Sequence, residues 1–396
     1  MTTVPQTPPR GSLLYDPKVR GIAVQAIACI IVGGLVYTAA TNAIDNLRAL
    51  GLLGREFLSD TAKFDINQTL ISYSAASTYG RAFLVGLLNT LLVAFIGIVL
   101  STILGFIVGV ARLSKNWIVA KVATVYVEVI RNLPLLLQLL FWYNAVLAPL
   151  PQPRDSINVG GGFFLNARGL FMPRPLHDDR AWLVWAAMGV GIAAALGFRA
   201  WAGRAQERTG RQYPVGWTAL ALVLGLPALV WAALALTGGS PISFEFPEQQ
   251  RFNLRGGLQI FPEFVALVLG LTLYTAAFIA EVVRAGILSV SKGQSEAAHA
   301  LGLRDGQTLR MVVIPQAMRV IVPPLTNQYL NLTKNSSLAV AIGYPDLVQV
   351  FMGTVLNQSG QAVPVVAMTM AVYLVISLVT SGLMNLYNRR VALVER

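Results

Sequence analysis

Much of this chain consists of stretches of about twenty residues or more that water would not tolerate exposed. They run over residues 21–41, 82–111, 122–147, 181–198, 215–236, 263–288 and 363–387. An eighth stretch, 321–343, has the length but carries a polar surface. A helix rises ~1.5 Å per residue, so each such stretch reaches across a hydrocarbon layer of ~30 Å. Inside that layer backbone polar groups need partners within their own segment, which a helix supplies. Composition agrees, since 55% of the 396 residues are hydrophobic and only 12% charged, against ~25% charged in soluble domains. The expected fold class is an all-α polytopic membrane protein with about eight transmembrane helices.

The formal charge of +12 invites a nucleic-acid reading. The basic residues lie between the apolar spans, so they read as topology signals, and no nucleic-acid partner is expected. Arg112, Lys115 and Lys121, then Arg199, Arg204, Arg208 and Arg211, then Arg389 and Arg390 mark one side. Acids such as Glu245 and Glu248 fall in loops of the other. This distribution puts both termini in the cytoplasm, with a polar tail over 1–20. Thr41-Asn42-Ala43 faintly resembles a signal cleavage site, but the apolar run before it is too long, so an uncleaved anchor is expected.

Loop 45–81, with Phe57, Phe64 and Tyr73, is expected to hold amphipathic helix at the outer surface. Gly160-Gly161-Gly162 lacks a following Lys-Ser/Thr and reads as a flexible outer loop rather than a phosphate cradle. The single cysteine, Cys29, excludes an internal disulfide and a thiolate zinc site. His177 and His299 are far apart in sequence, so no metal site is expected. No Gly-x-x-x-x-Gly-Lys-Ser/Thr stretch occurs, so nucleotide must bind to another chain if ATP drives this one.

One water-soluble patch lies between membrane-quality segments, over residues 293–315. Ser295 is placed to cap a helix, with Glu296 in its first turn and Ala297, Ala298 and Leu301 on one small apolar face. Gly302 is expected to end it. Asp305 is expected to cap a second short helix carrying Leu309, Val312 and Val313 and stopping before Pro315. Two short helices joined at a glycine make a peg, or simply a folded cytoplasmic loop.

Glu296-Ala297-Ala298, then Gly302, then Ile314-Pro315 resembles the EAA loop of importer-type ABC transporter permeases. Ile314 stands where that family usually has leucine. The run VVIPQAMR…NQYLNLTKNSSLAVAIGYPDL is similar to the polar amino acid branch (the HisMQ-like permeases), and the resemblance covers residues 83–141 and 263–390. The long N-terminal anchor and the central hairpin resemble the larger subunit of general L-amino acid (Aap/Bzt-type) permeases.

The resemblance implies a type I importer permease fold, a five-helix core with an added anchor and inserted hairpin. It gives an anchor and periplasmic loop at 21–81, core halves at 82–148 and 263–390, an insertion with periplasmic loops at 149–262, and a cytoplasmic C-terminus at 391–396. It also implies a non-catalytic subunit that imports L-amino acids across a bacterial inner membrane. The partners implied are a cytoplasmic ABC ATPase carrying ATP and Mg, a second and related permease, and a periplasmic amino-acid-binding protein. This chain itself would hold no cofactor.

Asn327, Asn331, Lys334 and Asn335 recur at i, i+4, i+7 and i+8, one stripe of a helix, widened by Gln328, Ser336 and Ser337. Such a stripe must face protein, water or ligand. Lys334 either meets a carboxylate ligand or pairs structurally with Glu281 or Glu128. Glu128/Arg131 and Glu281/Arg284 are each spaced to pair on one helix face, as interfacial ion pairs or as an inner gate. Pro323-Pro324 prevents regular helix hydrogen bonding just before the stripe, either letting the span pivot relative to the peg or only shaping a bend.

Two other classes compete. An ion-coupled secondary transporter would share broken polar helices, but in matched inverted segments, and only one is found. A membrane enzyme would need a nucleophile and base or a metal set, which these residues do not supply.

Overall fold

The structure is a computed structural model that describes residues 17–49, 56–250 and 253–391. Most of the terminal tails, over 1–16 and 392–396, therefore lie outside the described residues. Chain contacts sort the residues into two units, Met1–Phe95 with Ala285–Arg396, and Ile96–Arg284.

In chain order the helices begin with α1 (Pro17–Ala49), α2 (Tyr79–Ala111), α3 (Trp117–Asn132) and α4 (Leu135–Leu140), which runs on as a π-helical turn over Phe141–Leu147. The inserted hairpin is α5 (Ala181–Thr209), α6 (Val215–Leu220) and α7 (Leu226–Gly238). Then come α8 (Pro262–Leu288), α9 (Lys292–Ala300), α10 (Asp305–Thr308) and α11 (Ile314–Asn335). The chain closes with α12 (Leu356–Ser359) and α13 (Ala362–Val391).

Among the described residues six helices are long and apolar enough to cross a membrane, seven if α3 and α4 count as one span bent by 106°. The break falls at Leu133-Pro134, where proline pushes the preceding residue out of helical backbone. The eighth expected span is α11, whose length serves but whose polar stripe lowers its hydropathy. Pro323 and Pro324 lie inside α11, which continues through them. The helix runs on unbroken although each proline leaves out one backbone donor.

Two loop segments differ from expectation. The described loops around the hairpin form small antiparallel sheets. Strands β1 (Ile157–Gly160), β2 (Phe163–Asn166) and β3 (Gly169–Met172) join β8 (Leu258–Ile260) in the order β1-β2-β3-β8. Strand β4 (Arg174–His177) pairs with β5 (Ile242–Glu245), and β6 (Glu248–Gln249) with β7 (Leu254–Arg255). Gly160, Gly161 and Gly162 all adopt positive φ, so the glycine run is the β1–β2 turn, a backbone that side chains would strain.

Among its described residues, the segment between α1 and α2 holds a short 3-10 helix, Glu56–Ser59, and is pinned by specific bonds. Arg81 donates to the Ser72 carbonyl at 2.6 Å, and the Tyr73 hydroxyl to the Phe64 carbonyl at 3.0 Å.

Each unit has its own core. In the first, Phe57, Ala62, Tyr79 and Ala82 bury against Leu347, Val350, Phe351, Val355 and Val365. The Phe83 and Phe351 rings meet edge-on at 5.0 Å. In the second, Val127 packs on Ala277 and Ala280, flanked by Val108, Tyr126 and Ile130.

Candidate functional site

The peg forms, with shifted ends. Helix α9 starts after Ser291, not Ser295, so Glu296 lies mid-helix. Gly302 terminates it at φ +79°, with its amide bonded to the His299 carbonyl at 2.8 Å and the Leu303 amide to Ala298 at 3.1 Å. This is the left-handed turn that glycine permits without a Cβ clash. Arg304, not Asp305, precedes α10, and its amide is accepted by the Gln307 side chain at 3.1 Å.

The second helix does not stop before Pro315. A π-helical turn over Leu309–Val313 passes into α11, and Pro315 occupies the first turn, where a missing N–H costs nothing. The two short helices are strapped together. His299 Nδ1 bonds the Leu303 carbonyl at 3.0 Å, His299 Nε2 lies 3.5 Å from Asp305, and Gln316 donates to Gln294 at 3.1 Å.

The peg's faces also differ from the expected single apolar side. Ala298 turns inward and is buried, while Glu296, Ala297 and Pro315 are exposed and Ile314 is half-buried. Leu301 is 82% exposed and Met311 65%. Leu301 was expected on the small apolar face, whereas spacing alone did not single out Met311. Large apolar side chains this exposed on a polar loop mark a surface meant to be covered.

Helix α11 splits cleanly into two faces. Ile321, Val322, Leu325, Leu332 and Thr333 are buried, and the helix packs on α13. Asn327, Asn331 and Lys334 are exposed, with Gln328 and Asn335 half-buried. Ser336 does not join the stripe. The chain tightens into a 3-10 helix over Ser336–Ile342, which turns Ser336 inward to donate to the Thr333 carbonyl at 2.8 Å.

Among the described residues of its own unit no carboxylate lies within ion-pair distance of Lys334. A cavity of about 560 Å³ opens beside it, lined also by Ser337, Met352, Thr369, Tyr373 and Ser377.

Behind the stripe a buried polar knot escaped the sequence reading. Asn89 donates to the carbonyls of Gln68 and Pro345, both at 2.9 Å, and the Tyr344 hydroxyl to the Asn89 carbonyl at 3.3 Å. Thr90 accepts the Leu347 amide at 3.0 Å. Asp346, fully buried, accepts the Gln349 amide at 2.8 Å and the Tyr373 hydroxyl at 3.2 Å. It caps the π-helical turn Val348–Val355 that leads into α12. The signal available was a lone acid, in Tyr344-Pro345-Asp346, within an apolar run.

In the other unit the ion pairs regroup around one carboxylate. Glu281 accepts from Arg112 and from Arg284 at 3.1 Å, with Arg131 at 3.6 Å. Arg131 also lies over the Phe278 ring, 5.1 Å from its centroid. The expected Glu128/Arg131 pair therefore does not form. Arg131 reaches the better-buried acid, and Glu128 is left exposed without an ion pair among the described residues. Arg112, in the turn after α2, is thus joined with helices α3 and α8 through Arg131 and Glu281. Among the described residues no cluster of three or more metal-ligating side chains occurs.

Apolar spans with a helical peg between them and one polar-faced helix define a multi-pass integral membrane protein. Residues 101–393 match the family described as binding-protein-dependent transport system inner membrane component, and the chain belongs to that family. It has the type I permease fold, is a permease component with no catalytic role of its own, and is a multi-pass inner-membrane protein.

Among its relatives is the general L-amino acid transport system permease protein AapQ of Rhizobium johnstonii, 51% identical over 97% of this chain and 95% of the relative. The putative amino-acid ABC transporter permease protein YhdX of Escherichia coli is 49% identical over 98% of both. The glutamate/glutamine/aspartate/asparagine transport system permease protein BztB of Rhodobacter capsulatus is 43% identical over 97% of this chain and 96% of that one.

Proposed function

We propose that this chain is a transmembrane subunit of an ATP-driven importer of L-amino acids. It works with a cytoplasmic ATPase, a second permease and a periplasmic amino-acid-binding protein, and both its termini are cytoplasmic. The substrate class is supported by the printed names of relatives that match over nearly the whole chain. ATP and Mg belong to the ATPase chain.

The observation that carries the reading is the division of labour in the first unit. The exposed peg, with Glu296, Ala297, Leu301, Met311 and Pro315, runs through Ile314 directly into α11. Movement of a partner seated on the peg is therefore delivered to the helix bearing Asn327, Asn331 and Lys334. That stripe is exposed on the single chain, and hydrocarbon does not accept it. A second permease and a watery pathway are the surroundings that satisfy it. Lys334, with the flanking amides, offers donors to an amino-acid carboxylate.

The Glu281 hub is positioned to act as an inner clasp, since one carboxylate holds guanidinium groups from three positions. Glu128, unpaired, is available as an alternative partner when the hub rearranges.

Uptake of labelled amino acids tests the coupling role. Glu296→Lys reverses charge on the exposed face and is expected to abolish uptake while the protein stays in the membrane at wild-type level. Normal uptake by that variant would remove the peg from the mechanism.

A further inference from the structure

The inserted hairpin plays no part in the coupling just described, yet its far end is chemically distinctive. Helix α5 has 29 residues; at ~1.5 Å each it spans ~43 Å, longer than a ~30 Å hydrocarbon core. Its apolar stretch ends at Phe198. Arg199, Arg204 and Arg208 follow on the emerging helix and Arg211 in the turn after Gly210.

All four arginines are exposed, and among the described residues none has a carboxylate within ion-pair distance, Glu207 included. Arg204 and Arg208 are one helical turn apart, so they repel each other unless an anion lies between them. The opposite end of the hairpin is the contrast. There Arg180 is neutralised by Asp178 at 2.6 Å and donates to the Gly238 carbonyl at 2.9 Å.

The elbow is also an ordered aromatic shelf. Trp201 contacts Tyr213 with ring centroids 5.0 Å apart and Phe198 at 5.6 Å, and the Arg211 guanidinium lies 6.0 Å over Tyr213. Trp201 is 50% exposed and Trp217, at the start of the returning helix, 77%. Trp201, Arg204 and Arg208 share one face of α5. None of the 215–238 span is buried within the chain, which leaves that apolar limb of the hairpin open to lipid.

We propose that this elbow binds the phosphate of an anionic phospholipid. Arg204, Arg208 and Arg211 hold the headgroup, and Trp201 and Trp217 lie at the headgroup–acyl boundary, where indole rings settle. An occupant with both charge and an acyl chain is called for because cationic and apolar surfaces adjoin within a few residues. Inorganic phosphate would satisfy only the first.

The full chain, purified with whatever subunits accompany it, is placed in phosphatidylcholine nanodiscs doped with phosphatidylglycerol, and retained lipid is quantified after extraction. Phosphatidylglycerol is expected to be enriched on the wild type, about tenfold less on R204Q/R208Q/R211Q, and largely kept on R204K/R208K/R211K. Equal retention by wild type and the glutamine variant overturns the proposal. Should that variant fail to insert, a photoreactive phenylalanine analogue replacing Trp217 leaves every arginine in place. Adducts with phosphatidylglycerol several-fold above those with phosphatidylcholine are then expected. Equal yields, or loss of the preference on adding millimolar inorganic phosphate, overturn it, the latter by showing a free-anion site.

Discussion

Gly302 holds the peg's bend at φ +79°, a conformation that costs an ordinary side chain ~1–2 kcal/mol. Gly302→Val is therefore expected to cut uptake at least about tenfold by swinging α10 away from α9. Gly302→Asn, which tolerates left-handed backbone, should recover most of it. Uptake normalised to membrane abundance checks both. Asp346 makes a second residue-level prediction. Asp346→Ala removes the acceptor for the Gln349 amide and the Tyr373 partner, and is expected to cost ~1–2 kcal/mol. Asp346→Asn keeps an acceptor and should lose less. Thermal unfolding of the detergent-solubilised protein measures the difference.

The same residues show what the chain's order of letters reveals. Gly302 was legible because only a few residue types suit that backbone. Asp346 was not, because its importance comes from Asn89, Thr90 and Tyr373, which bring the loop's surroundings from distant sequence.

At the scale of elements, the spacing of Asn327, Asn331 and Lys334 was enough to place them on one face of a helix, since the helical period is local geometry. The fate of Ser336 was not, because the switch to 3-10 winding after Asn335 changes the angle per residue. Likewise Glu128/Arg131 satisfies the i, i+3 rule, yet Glu281 wins Arg131 from another helix. Local rules cannot rank a tertiary competitor.

The faces of α11 can be mapped directly. With Cys29 replaced by serine, cysteines at positions 327, 331 and 334 are expected to react with a small water-soluble thiol reagent. Cysteines at 325 and 332 should stay protected. Labelling of both sets alike would mean that the stripe has no aqueous surroundings. In the other unit, Glu281→Gln leaves Arg112 without its carboxylate while its side chain is only 10% exposed. Breaking such a pair from one side typically costs ~3–5 kcal/mol. A large drop in detergent stability is expected, partly recovered when Arg112→Met is added. A drop under about 1 kcal/mol would show the hub to be solvated.

The whole molecule leaves two surfaces uncovered that a free monomer in a membrane would not keep. One is the peg with Leu301 and Met311; the other is the polar stripe of α11. Under the proposed function both are answered by partners, and the family to which the chain belongs consists of components of multi-subunit systems. Membrane class and the peg were readable because hydropathy and turn chemistry are properties of short windows. The count of about eight spans was not matched, since six helices, or seven with the bent pair, are long and apolar enough among the described residues. The outer β-sheets were not readable, because β3 pairs with β8 across the whole hairpin, a contact between segments far apart in sequence. The measurement that bears most directly on the central claim is mass spectrometry of the assembly kept intact by gentle detergent, for wild type and Leu301→Asp side by side. The account predicts an ATPase and a second permease bound to the wild type, with the ATPase alone lost from the variant. Recovery of the chain by itself, active in ion-driven uptake after reconstitution, would contradict it.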